Sequence, residues 1–297
     1  MKPTINQAKR KRAFTIIELL TVMSIIVILI GLLVPALNKV KRYAMDVKER
    51  AQLHAMDAAI ELFSTENGGY PTSNALDSDG AEYCGAMKLC EALMGQDLLG
   101  FHSNSIFRRN GLDVNGNQLY LTTTGAVLNS ELRAARKGPY LQAENANAWR
   151  MKDIYGTNVG SFLGTSFVLC DVYAQQTQSG EKTGMPILYY KADTANTMHD
   201  PNLAMTVDNN GGNIYNYYDN QRLVDLGRPW MGANSPSSAH GMADPRRFYR
   251  NTRSDKISTT SRPFRPDEFI LISAGWDSEY GTADDICNYE WKYSERL

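Results

Sequence analysis

The sequence predicts an α+β fold in which one very long N-terminal α-helix carries a small antiparallel β-sheet domain with long loops. Three observations predict it. Residues 16–37 are apolar apart from a single ionisable residue, Glu18. The pattern then turns amphipathic without a break as far as Asn67-Gly68-Gly69. Beyond Pro71 the chain reads as short apolar stretches separated by polar, turn-rich ones.

The apolar run comes first. At about 20 residues it is long enough to cross a bilayer as a helix. Residues 1–13 precede it as a basic leader with Lys2, Lys9, Arg10, Lys11 and Arg12 and no acid, a charge pattern that keeps the leader cytoplasmic. Lys39, Lys41, Arg42, Lys48 and Arg50 follow the run, offset only by Asp46 and Glu49, so the count of Lys and Arg alone does not fix orientation. A carboxylate in a lipid-facing helix is unfavourable by roughly 3 kcal/mol unless it finds a partner, which marks Glu18 as a functional residue. The competing reading is a carboxylate snorkelling to the membrane surface. Pro35 removes one helical hydrogen bond, and either kinks the helix or marks the end of the span.

Past Pro35, Val40, Ala44, Val47, Ala51, Ala55, Ala58 and Leu62 recur at spacings of three and four, with Met56, Ile60 and Phe63 on an adjoining stripe. Asn67-Gly68-Gly69 supplies the residues that tolerate a left-handed helix end, and Tyr70-Pro71 opens an extended segment. A helix over residues 14–66 would be about 80 Å long at 1.5 Å per residue, more than a bilayer needs. Residues 14–37 thus form a membrane segment, residues 38–67 its amphipathic continuation, and residues 68–297 a globular domain that packs on the latter. Met87, Leu89, Cys90, Leu93, Met94 and Leu98 predict a second helix over residues 86–99, ending at Gly100. Strands are predicted at residues 167–169, 187–191, 204–207 and 269–273.

Composition excludes little. A formal net charge of -1 gives no global attraction to nucleic acid. Cys84, Cys90, Cys170 and Cys287 could pair in three ways in an oxidising compartment, and their spacing selects neither a pairing nor a zinc site. His54, His102, His199 and His240 are scattered, as packed or surface histidines are. Arg246, Arg247, Arg250, Arg253 and Lys256 form a basic stretch whose default is a solvated surface. The segment Asp113-Val114-Asn115-Gly116-Asn117 lacks the closing Glu of an EF-hand and reads as a turn. There is neither a Gly-x-Ser-x-Gly nucleophile motif nor a phosphate loop.

The most acidic motif is Ser273-Ala274-Gly275-Trp276-Asp277-Ser278-Glu279-Tyr280-Gly281-Thr282-Ala283-Asp284-Asp285-Ile286. Calcium takes six to eight oxygens, and a glycine-bearing loop with clustered acids can wrap one. A solvated acidic turn is the alternative.

Two of these segments carry a family resemblance. Ala13-Phe14-Thr15-Ile16-Ile17-Glu18-Leu19-Leu20 resembles the processing signal of type IV prepilins and type II secretion pseudopilins, with Lys11-Arg12-Ala13 ahead of the apolar run, where an ordinary signal peptide places its apolar stretch before the cleavage site. The resemblance implies a pilin-like fold and cleavage by prepilin peptidase between Ala13 and Phe14, with methylation of the new amine. It also implies a filament in which Glu18 of one subunit neutralises the Phe14 amine of its neighbour. Ala13 stands where the family usually has Gly, which predicts slower processing. Residues 58–71 resemble the helix end and turn of the major pseudopilins, and the acidic loop resembles their calcium loop, implying Asp277, Asp284 and Asp285 as ligands with carbonyls near Ala274 and Thr282. Ser278 stands where the family has Gly, and Glu279 is an additional acid. Residues 101–164 and 193–266 are insertions relative to a major pseudopilin. The implied protein is not an enzyme. It is a filament subunit, anchored in a bacterial inner membrane with its N-terminus cytoplasmic and its head periplasmic, whose partners are other pilins, the peptidase and the assembly platform, with no nucleic acid; a minor or tip pilin in adhesion or DNA uptake, or a membrane-anchored binding protein that never polymerises, are the alternatives.

Overall fold

In a computed structural model the protein is described over residues 15–121, 131, 134–177, 179–230, 239–256, 260–291 and 293. The leader and both residues of the expected cleavage site, Ala13 and Phe14, lie outside the described residues. The chain divides into two units at Ala44/Met45.

Helix α1 spans Ile16–Asn67 and continues through Pro35, which neither ends nor interrupts it. Hydroxyls in its apolar part are satisfied within the helix: Thr21 Oγ1 donates to Glu18 O (3.0 Å) and Ser24 Oγ to Leu20 O (2.8 Å). Its C-terminus closes as the sequence predicts, with Gly68 at φ 78° and the amides of Gly68 and Gly69 both donating to Ser64 O.

In the second unit α1 packs through Glu49, Gln52, Leu53, Met56, Ala59, Ile60 and Phe63. The head takes the stripe of larger side chains, whereas Val47, Ala51, Ala58 and Leu62 remain exposed. The reason is volume: Leu53, Met56, Ile60 and Phe63 fill the space against the sheet, which a row of alanines leaves open.

Helix α2 covers Gly85–Met94, shorter than residues 86–99. Gly95 at φ 81° stops it, its amide bonding Glu91 O, and Leu98 leaves the helical path at φ 61°. The remaining elements are β1 (Phe101–His102), β2 (Arg136–Lys137), α3 (Ala143–Ala146), β3 (Ala148–Arg150), α4 (Met151–Tyr155), β4 (Phe167–Leu169), β5 (Gln175–Gln176) and β6 (Lys182–Thr183). Then come β7 (Leu188–Lys191), α5 (Tyr218–Val224), α6 (Pro245–Asn251), β8 (Arg253–Ser254), β9 (Arg262–Pro263), β10 (Phe269–Ser273) and β11 (Ile286–Cys287). The expected strand at residues 204–207 does not form. Thr206 makes only a bridge to Asn209, because the following Asp208-Asn209-Asn210-Gly211-Gly212 turns the chain back before a ladder can extend.

The central sheet has the order β11-β10-β7, antiparallel throughout. Every residue of β10 is buried, since the sheet is covered on both faces. Phe269 and Leu271, with Tyr189 of β7, face the core shared with α1 and α2. Ile270 and Ile272, with Leu188 and Tyr190, face a second core that includes Tyr217, Leu223 and Phe248. The segment 193–266 is therefore a built layer with α5, α6 and a two-stranded ladder, more than a loop, and its aromatic side chains seal the sheet's far face. The four cysteines are free and buried.

Candidate functional sites

The first site is the start of α1. Thr15 and Glu18 form a reciprocal cap: the Thr15 amide and hydroxyl each donate to Glu18 Oε2 at 2.8 Å, and the Glu18 amide donates to Thr15 Oγ1 at 3.3 Å. This is a capping box, legible in the Thr-x-x-Glu spacing but absent from a reading that saw Glu18 only as a charge in an apolar run. The side chains from Ile16 to Leu37 are exposed along their apolar length, Ile16 at 83% and Leu32 at 70%. The helix is long and apolar enough there to cross a membrane.

The second site is the loop between β10 and β11. Gly275 lies at φ 65°, and a Cβ there would stand 2.2 Å from Asp284 O, so the loop crosses itself at this point. The Asp277 amide donates to Asp284 Oδ2 (3.0 Å), and Asp277 Oδ1 accepts from the Glu279 amide (2.8 Å). Asp284 Oδ1 accepts from Thr282 Oγ1 at 2.9 Å. Asp285 is turned inward: Oδ2 accepts from the Gly281 amide (2.7 Å), and Oδ1 from the amide and hydroxyl of Thr282. Burial pushes the Asp285 carboxyl well above the usual carboxylate range. Burial first, and the neighbouring Asp284 charge behind it, push Asp277 up to about 6.

Three further contacts define what this loop can hold. Glu279 pairs with Arg228 (3.2 Å), so the additional acid has a cation of its own. Thr282 O accepts from Trp291 Nε1 at 2.8 Å, which occupies part of its acceptor capacity. His240 packs on Tyr280, with ring centroids 4.7 Å apart, and its Nδ1 accepts the Tyr280 amide. Of the three expected ligands the loop thus brings Asp277 and Asp284 together and commits Asp285 to its own backbone. Among the described residues no three His, Cys, Asp or Glu side chains converge as a metal site.

The weaker candidates resolve as packing. Asp113 accepts from the amides of Asn115 and Asn117 (both 2.8 Å), closing the expected turn. His102, His199 and His240 are buried. Burial pushes His199 down to about 4 and His240 to about 3, so both are neutral imidazoles. In the basic stretch Arg246 pairs with Asp244, the residue that caps α6, at 2.8 Å.

With this geometry in place, comparison adds one match. Residues 8–34 match the family model described as the prokaryotic N-terminal methylation motif. No curated protein and no solved structure matches the chain. The motif is that of type IV pilin-like proteins processed by prepilin peptidase. This chain has such a prepilin-like N-terminus, and its long helix followed by small antiparallel sheets is consistent with a pilin-like fold.

Proposed function

We propose that the chain is a structural subunit of a type IV pilus-like filament, within which a type II secretion pseudopilus is the favoured setting. The observation that carries the reading is a methylation-type N-terminus on a helix whose apolar half is bare and whose other half is built into a head. Cleavage between Ala13 and Phe14 leaves a charged amine beside an apolar helix. In this reading the Glu18 carboxylate, held by Thr15 in the single subunit, is handed to the amine of the adjacent subunit. Two charges that are each unfavourable in lipid cancel only in one stagger, which sets the register of the filament. The exposed Val40, Val47 and Leu62 supply apolar surface for neighbouring helices. The subunit sits in the inner membrane, N-terminus cytoplasmic and head periplasmic, and its partners are the peptidase, the assembly platform and other pilins. It performs no catalysis.

A minor or tip subunit is the second reading, favoured by the elaborated layer of residues 193–266, which adds bulk to a head that a major subunit must pack repeatedly. Mass spectrometry of the N-terminal peptide from native membranes tests the shared core of both readings. A methylated Phe14 is expected; an intact Met1 leader in peptidase-competent cells rules both out.

For the loop after β10 we propose a structural calcium ion held by Asp277 and Asp284, with backbone carbonyls and water as further ligands and Asp285 bracing the loop from within. A melting midpoint that drops on adding chelator and returns with calcium is expected. An unchanged midpoint removes calcium from the account.

A further inference from the structure

A cavity of about 490 Å³ opens between α2 and the segment 101–164. Its volume is that of a small-molecule site. Three cations line it: Arg109, Arg150 and Lys152. Its two acids are committed elsewhere. Asp97 takes a bidentate ion pair from Arg136 (2.7 and 2.8 Å) and the Leu121 amide. Glu91 accepts from Tyr83 Oη (2.7 Å), from Gln96 Nε2 (2.9 Å) and from Ser105. Among the described residues no ion pair joins Arg109, Arg150 or Lys152 to a carboxylate.

The cations are placed by the fold. Arg150 ends β3 directly opposite Phe167 of β4, and its guanidinium lies over that ring at 5.2 Å. Stacking fixes the plane of the guanidinium and leaves its N–H edge free to fork onto an oxyanion. Lys152 is set by the amide bonds of Met151 to Ser166 O and of Lys152 to Gly164 O. Arg109 spends one donor on Ser161 O (3.2 Å) and retains the others. Met87, Cys90, Leu163 and Phe167 give the same cavity an apolar wall.

We infer that this cavity binds a small ligand with an oxyanion at one end and an apolar body at the other, Arg109 and Arg150 gripping the oxyanion. Carboxylate and phosphoryl groups share that chemistry. The inference is independent of filament assembly, since every residue it uses lies in the second unit.

The test is calorimetric titration of the full-length protein in detergent, at fixed ionic strength, with phenyl phosphate, benzoate and uncharged benzyl alcohol. Saturable binding of at least one anion and none of the alcohol is expected; the tighter anion identifies the oxyanion class. Arg150→Gln and Arg109→Gln should each weaken that binding about tenfold or more, with Arg246→Gln, on α6, unchanged. Arg150→Lys, which keeps the charge and loses the fork, should also weaken it and serves if the Gln variant does not fold. Absence of saturable binding by both anions overturns the inference. So does an affinity that both arginine variants leave unaltered, or equal binding of the alcohol.

Discussion

Ser278 occupies a left-handed backbone conformation, φ 59°, and is fully buried. A side chain there is unfavourable by about 1 kcal/mol relative to glycine, which gives a physical reason for the glycine that the resembling loops carry. This chain offsets the strain with the hydroxyl, which accepts from Gln175 Nε2 at 3.0 Å. Ser278→Gly should therefore stay within about 0.5 kcal/mol of the parent, as relief of strain and loss of one hydrogen bond nearly cancel. Ser278→Ala keeps the strain and loses the bond, and denaturant titration should show a loss of about 1–2 kcal/mol. Glu49 poses a different problem at the same scale. It is buried in the face of α1, where its Oε2 accepts from the Val172 amide at 2.9 Å. Burial pushes it up to about 7 from an ordinary 4.5, and the adjacent Asp171, also raised mainly by burial, faces it as a second acid. Asp171 itself accepts from the amides of Tyr173 and Met185, with Ser273 Oγ at 3.4 Å. A raised carboxyl contributes its full stability below the unfolded value and loses it as pH climbs to the folded one. Relative to Glu49→Gln, the parent should therefore lose stability as pH climbs from the ordinary carboxylate value of 4.5 towards about 7. Paired melts across that range check it.

At the scale of elements, α1 shows what could and could not be read in advance. Its end at Asn67-Gly68-Gly69 depends on backbone preferences of those residues alone, and the sequence shows it. Its buried face depends on what the head offers. The alanine-rich stripe and the Met56-Ile60-Phe63 stripe are both apolar at helical spacing, and only the volumes of Leu89, Leu93 and Phe269 opposite decide between them. β10 and β4 were legible as apolar runs, whereas residues 204–207 run straight into the turn-forming Asp208 to Gly212, and only the fold shows that no strand pairs with them. The acidic loop was legible in its composition but not in the inward turn of Asp285, which depends on how Gly275 brings the loop across itself. The Thr15–Glu18 cap was within reach of a spacing rule. Phe63 is 3% exposed and meets Phe101 and Tyr140 edge-on at 4.9 and 5.6 Å. Phe63→Ala should destabilise the head by about 3–5 kcal/mol. Its neighbour Leu62, 48% exposed, should tolerate alanine within about 0.5 kcal/mol in the isolated subunit. The contrast, measured by denaturant titration, tests which face of α1 the head occupies.

Across the whole molecule, each unit has its own physical role. Residues 16–44 expose apolar surface that water does not favour, and the unit from Met45 onward closes two cores around a three-stranded sheet. The four cysteines belong wholly to the second unit, buried and free. Burial pushes the Cys84 thiol up to about 11, and the other three are raised as well, burial again leading, so almost none is thiolate at neutral pH. Buried, protonated thiols react slowly with disulfides and alkylating agents, so the four cysteines of the folded head should resist exchange while it stays folded. Its melting midpoint should be the same with and without reductant, and alkylation of the native protein should label none of the four until it unfolds.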